Sequence, residues 1–137
     1  MSWRSNLRSF FVHKIFGVFF LSISICFFLA LYSYRVDDPG FGIATSSSKI
    51  YNFMGIVGAY FSSFTLITIG NSIYLVALFF LIQGVKYMLG YTKNKTLLKL
   101  FLLISGIFLL NLCLSLTSLE TSLLGKVLIK FLEDLIK

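Results

Sequence analysis

From Ile15 to Tyr34 the chain runs for about twenty residues without a charge. A helix of that length rises about 30 Å, the thickness of a bilayer's hydrocarbon core. Leu97 to Leu116 repeats the feature, its sole charge being Lys99 near the start. Hydrophobic residues make up 58% of the chain and charged residues 12%, against about 25% charged in a soluble domain. A soluble fold of 137 residues has too little interior to hide that much apolar surface. The expected fold class is therefore all-α integral membrane, organised as one membrane domain over residues 1–137.

A third apolar stretch, Tyr51 to Tyr87, is too long for one span. About 37 residues of unbroken helix would extend about 55 Å, so the stretch must break, and Gly70-Asn71 is the natural place. If both halves cross the membrane there are four spans; if one does, there are three. Charge separates these readings through the positive-inside rule. Arg4, Arg8 and Lys14 precede the first run and put the N-terminus in the cytoplasm, with the 35–49 loop outside. With four spans Lys86, Lys93, Lys95 and Lys99 would also lie outside; with three they fall inside. Three transmembrane helices are expected, at about 15–34, 70–89 and 97–116, with four as the alternative. Residues 35–69 then form an outer loop and an interfacial or re-entrant helix.

Residues 120–137 form an amphipathic C-terminal tail. Lys126, Lys130, Glu133 and Lys137 fall on one helical face, and Leu124, Val127, Leu128, Phe131, Leu132 and Leu135 on the other. Such a helix rests on the membrane surface rather than crossing it. The basic N-terminus followed by an apolar run is like a signal peptide, but the run is longer than a usual signal core and no Ala-x-Ala site follows. It reads as a retained signal anchor.

The net charge of +7 lies beside apolar runs, which favours anchoring and orientation over direct nucleic-acid binding. Cys26 and Cys113 sit inside apolar runs and lack metal-ligand spacing, which suits packing or lipid-facing positions. His13, the only histidine, has no Cys, Asp or Glu at a partner spacing and reads as an interfacial residue. Asp37 and Asp38 are adjacent carboxylates, but Pro39-Gly40 follows, so they read as a turn that ends the first helix. Gly55-Ile56-Val57-Gly58 lacks the lysine and the strand of a phosphate-binding loop. Gly55, Gly58, Ser62 and Thr65 form one helical stripe of small side chains, fit either for packing within the chain or for contact between protomers. No catalytic site, cofactor or metal is expected, and the lipid bilayer is the first partner.

The order Ser33-Tyr34, Asp38-Pro39, Phe41, then Asn52-Phe53-Met54-Gly55-Ile56-Val57-Gly58-Ala59, then Gly70 resembles the membrane domain of FtsK/SpoIIIE-type bacterial DNA translocases. The resemblance covers about Leu31 to Gly90. Its motif residues here are Asp38, Pro39, Phe41, Asn52, Gly55, Gly58, Ala59 and Gly70. Gly40 replaces the usual Ser, and Ser62-Ser63 stands where Ala-Asp is common. The family's fourth span is not seen; Gly125 to Lys137 looks like the lead-in to it, as in a chain truncated before the motor.

The resemblance implies a domain that tethers a DNA pump to the bacterial inner membrane at the division septum, forms a homo-oligomer of six and meets division proteins, with no motor of its own. A different class, a small transporter or channel subunit, would have to line its path with Gln83, Asn111 and the Ser/Thr residues.

Overall fold

The computed structural model describes residues 2–42, 49–91, 95–117 and 122–136. Lys93, Glu120, Lys137 and residues 43–48 lie outside the described residues. The described residues form five α-helices: α1 (Ser2–Tyr32), α2 (Gly55–Thr68), α3 (Tyr74–Met88), α4 (Thr96–Leu116) and α5 (Leu123–Ile136), with a 3-10 turn, Gly70–Ile73, leading into α3. Among the described residues three stretches are long and apolar enough to cross a membrane: Phe10–Tyr32, Gly70–Met88 and Leu98–Leu116. At 14 residues α2 rises only about 21 Å, short of a bilayer core.

The long apolar region breaks where its glycine permits. Thr68 ends α2, Ile69 caps it, and Gly70, the first residue of the 3-10 turn, adopts a left-handed φ of 73°. A side chain there would be strained. The first helix starts earlier than the uncharged run from Ile15 suggests. Phe10, Phe11 and Val12 extend its apolar surface, and Lys14 does not interrupt it because its amine turns to the C-terminal carbonyl of α3, Met88 O.

Helices α1 and α3 run antiparallel and form the tightest pairing. Gly17 faces Met88 and Gly84 faces Leu21; a Cβ on Gly84 would stand 2.9 Å from the backbone nitrogen of Leu21. Farther along, Ser24 Oγ donates to Ala77 O at 2.8 Å. Lipid tails give apolar helices no reason to associate over remaining apart, so close backbone approach through small residues and buried hydrogen bonds supply the specificity. Rings fill the rest of the seam. Tyr87, Phe20, Phe80, Phe27 and Phe61 follow one another with centroid separations of 5.5, 5.8, 5.7 and 4.7 Å, carrying the contact from α3 through α1 to α2. Such spacings are in the favourable range for aromatic pairs.

The bundle has two unlike ends. One gathers Lys14 of α1, Lys86 of α3, and Lys95 and Lys99 at the start of α4. The other, the loop end, holds the C-termini of α1 and α4, all of α2, the 3-10 turn and the start of α5. Every α1 residue named in a hydrogen bond or ring contact with residues 51–68, from Phe27 to Ala30, lies in its last turns. Thus α2 caps the loop end instead of running the length of α1.

Candidate functional site

Buried polar side chains concentrate at the loop end: Asp38, Asn52, Ser62, Ser63, Thr65, Ser72, Asn111 and Ser122. Each is at most 6% exposed, so each needs a partner or costs free energy. Two of them, Asn52 and Asn111, answer a general defect of helices. The last carbonyls of an α-helix have no intrahelical donor, and in an apolar surrounding water cannot serve them.

Asn52 corrects this for α1. Its Nδ2 donates to Ala30 O at 2.9 Å, while Oδ1 accepts Met54 N–H at 3.0 Å. The amide lies in the notch left by Gly58, where a Cβ would collide with Asn52 Oδ1. Asn52 O accepts Gly55 N–H at 2.9 Å, and Gly55 starts α2 at a φ of 64°. Asn52, Gly55 and Gly58 thus work as one device: the amide needs the missing side chain of Gly58, and the turn needs a residue at ease with positive φ. Ala59, 1% exposed, packs beside them.

Asp38 closes the loop between α1 and α2. Its Oδ1 accepts Tyr51 N–H at 2.8 Å, joining the two stems of the loop. Arg35 and Lys49 stand 4.9 and 5.4 Å from the Tyr51 ring, within cation–π range. Pro39 follows and fixes the turn. Phe41 then straps the loop onto α2: its N–H donates to Ser63 Oγ at 2.8 Å, and its ring meets Phe64 edge-on at 5.1 Å.

Asn111 does for α2 what Asn52 does for α1. Its Nδ2 donates to Ile69 O, the carbonyl at the α2 C-cap, at 2.7 Å. Its Oδ1 accepts Ser122 Oγ–H at 2.6 Å, and Ser122 Oγ accepts Gly125 N–H at 3.1 Å, as an N-cap of α5 does. One amide therefore ties together α2, α4 and α5. Gly125 permits the fit, since a Cβ there would collide with Ser115 Oγ.

With Lys14 on Met88 O, among the described residues three helices have a C-terminal carbonyl served by a side chain from another element: α1 by Asn52, α2 by Asn111 and α3 by Lys14.

The motif residues divide accordingly. Asn52, Gly55, Gly58 and Ala59 come together with the end of α1; Asp38, Pro39 and Phe41 form the loop strap; Gly70 makes the separate break. Of the small-residue stripe, Gly58, Ser62 and Thr65 are buried within the chain, and Ser62 Oγ lies 3.5 Å from Asn52 Nδ2. His13 stacks on Tyr87 at 6.2 Å. Cys26 and Cys113 are exposed on their helices. Gln83 faces α4, with its Oε1 3.4 Å from Lys99 Nζ. Asn111 and Ser122 are the residues whose role sequence reasoning missed. The available signal was a lone amide in an apolar span, which is expensive there unless it bonds.

Chemically, the hydrogen bonds of this site hold helices together. Among the described residues no three His, Cys, Asp or Glu side chains gather as metal ligands. The loop-end cavity of about 420 Å³, bordered by Tyr34, Leu66, Gly70, Asn71, Ser122 and Lys126, lies beside the Asn111 junction.

Comparison with known proteins gives one finding. The family model described as the 4TM region of DNA translocase FtsK/SpoIIIE matches residues 10–130. No curated protein and no solved structure matches the chain.

Proposed function

The chain belongs to the family of the 4TM region of DNA translocase FtsK/SpoIIIE, a multi-pass membrane domain of a DNA translocase, and on that premise we propose that it is an anchor that tethers a translocase to the bacterial inner membrane at the division septum. The family match over residues 10–130 carries this reading. The loop-end chemistry supports it, because Asn52, Asn111 and Ser122 are spent on joining helices and none is left aimed at a substrate. The chain itself contributes no motor: its sequence has no G-x-x-x-x-G-K-[ST] run to cradle a nucleotide. Copies assemble into a homo-oligomer, six by analogy with the family, and meet division proteins through the loop end. The lysine-rich end faces the cytoplasm, and α5 rests on the outer surface with Leu123, Val127, Phe131 and Leu135 exposed toward lipid.

The transporter alternative requires a continuous polar path. Gln83 lies toward the lysine-rich end and Asn111 at the loop end, where Ile69 and Ser122 already occupy its amide. A fluorescent fusion expressed in dividing bacteria tests the anchor reading. It should collect at mid-cell; even labelling of the envelope in dividing and non-dividing cells alike would refute septal tethering.

A further inference from the structure

Between α3 and α4 lies an open wedge of about 350 Å³. Its walls are apolar, with Leu75, Leu78 and Ile82 on one side and Leu102, Leu103 and Gly106 on the other. The helices approach at its closed end, where a Cβ on Gly106 would be 3.9 Å from Leu75. At its open end stand Lys86, in the last turn of α3, and Lys99, in the first turn of α4. Gln83, 9% exposed, holds Lys99 Nζ through Oε1 at 3.4 Å and so keeps that amine at the mouth. From Leu75 to Lys86 the wall rises about 16 Å, the depth of one leaflet.

The charges at the mouth have no counterpart in the nearby chain. The five acidic residues are Asp37, Asp38, Glu120, Glu133 and Asp134, so no carboxylate side chain occurs from Pro39 to Leu119. Two amines over an apolar slot one leaflet deep match a molecule with an anionic head and a long apolar tail. A second copy of the chain is a poorer occupant. Inserted the same way round, it would bring its own lysines to the same depth and oppose Lys86 and Lys99.

We propose that the α3–α4 wedge binds an anionic phospholipid from the leaflet at the lysine-rich end, its phosphate between Lys86 and Lys99 and an acyl chain along the leucine walls. Basic pockets between transmembrane helices recognise such head groups by the same chemistry. The bound lipid fills the space that α4 leaves against α3 and makes the domain's packing responsive to membrane composition.

Native mass spectrometry of the full chain released from detergent micelles tests this, with phosphatidylglycerol and phosphatidylethanolamine supplied in equal amounts. The wild-type chain should retain phosphatidylglycerol preferentially. Lys86→Gln with Lys99→Gln should weaken retention about thirtyfold, as two lysines' attraction to anionic lipid requires. Lys126→Gln with Lys130→Gln, an equal charge loss on α5, should leave it unchanged. Gly106→Trp should abolish it by filling the slot with the charges intact. Equal retention of the two lipids, equal loss in the two lysine pairs, or a wild-type dimer in place of lipid adducts would each overturn the proposal. The glutamine pair decides the matter even where Gly106→Trp fails to fold, because Lys86 is exposed and Lys99 half-exposed.

Discussion

The loop end and the lysine-rich end use the same helices in opposite ways. At the loop end, side-chain amides reach across elements to the carbonyls that helices leave open, and α1, α2, α4 and α5 are joined through Asn52, Asn111 and Ser122. Toward the lysine-rich end, α1 and α3 meet through Gly17, Gly84 and the ring ladder, whereas α4 stands off from α3. In lipid, burial of apolar surface does not itself drive helices together. Helices close where glycine lets backbones meet or a side chain bonds a backbone carbonyl; α3 and α4 are bridged at the mouth by the long side-chain bond Gln83–Lys99, and a wedge remains between them. Substitutions should therefore be costly at glycine contacts and amide junctions, and cheap along the leucine-rich face of α4.

The largest effect belongs to Gly84→Val. A Cβ there would lie 2.7 Å from Leu21 Cγ and 2.9 Å from Leu21 N, and backbone cannot step aside as a side chain can. A loss of about 3 kcal/mol is expected, measured by reversible unfolding in mixed micelles. Asn111→Leu comes next, at about 1.5 kcal/mol, because Ile69 O loses its donor and Ser122 its acceptor. Hydrogen exchange should then quicken through Leu123–Ile136 while α1 and α3 stay protected; uniform acceleration would mean that Asn111 does not serve as the local tie of α5.

Gly58→Ala and Asn52→Ala should each cost about 1 kcal/mol. Combined, they should cost less than their sum, since removing the amide relieves the new methyl's clash with Asn52 Oδ1 while its clash with Met54 Cβ stays. Strict additivity would break the claim that the two residues form one device. The smallest effect is expected at the other region. Leu102 is 59% exposed on the wedge side of α4, so Leu102→Ala should shift stability by no more than about 0.5 kcal/mol. A loss comparable to Gly84→Val would show that α4 is packed as tightly as α1.

Sequence made much of this legible, for reasons tied to particular residues. Uncharged runs of bilayer length mark spans directly, and Gly70 marks the break because only glycine takes its φ at no cost. The 3.6-residue alternation of lysine and leucine marks α5. The motif Asn-x-x-Gly-x-x-Gly-Ala was visible as a pattern, but its work was not. That Asn52 fills the notch of Gly58 and reaches Ala30 depends on a turn that joins residues 22 apart. Asn111 was illegible for the same reason in stronger form: its partner Ile69 lies 42 residues away. A lone amide in a span signals that some partner exists, not which one. Helix α1 begins before the uncharged run because Lys14 does not interrupt it, its amine bonding Met88 O on α3.

Whether α2 caps the loop end or crosses the membrane sets the sidedness of everything after it. Single cysteines at Lys49, Tyr91 and Glu133, all exposed, would be placed in a chain with Cys26 and Cys113 replaced by serine. A membrane-impermeant thiol reagent would then be applied to intact cells with a permeabilised outer membrane. Positions 49 and 133 should react and position 91 should stay protected until the inner membrane is broken. Reaction at 91 with protection at 133 would mean that α2 spans, and would contradict the account.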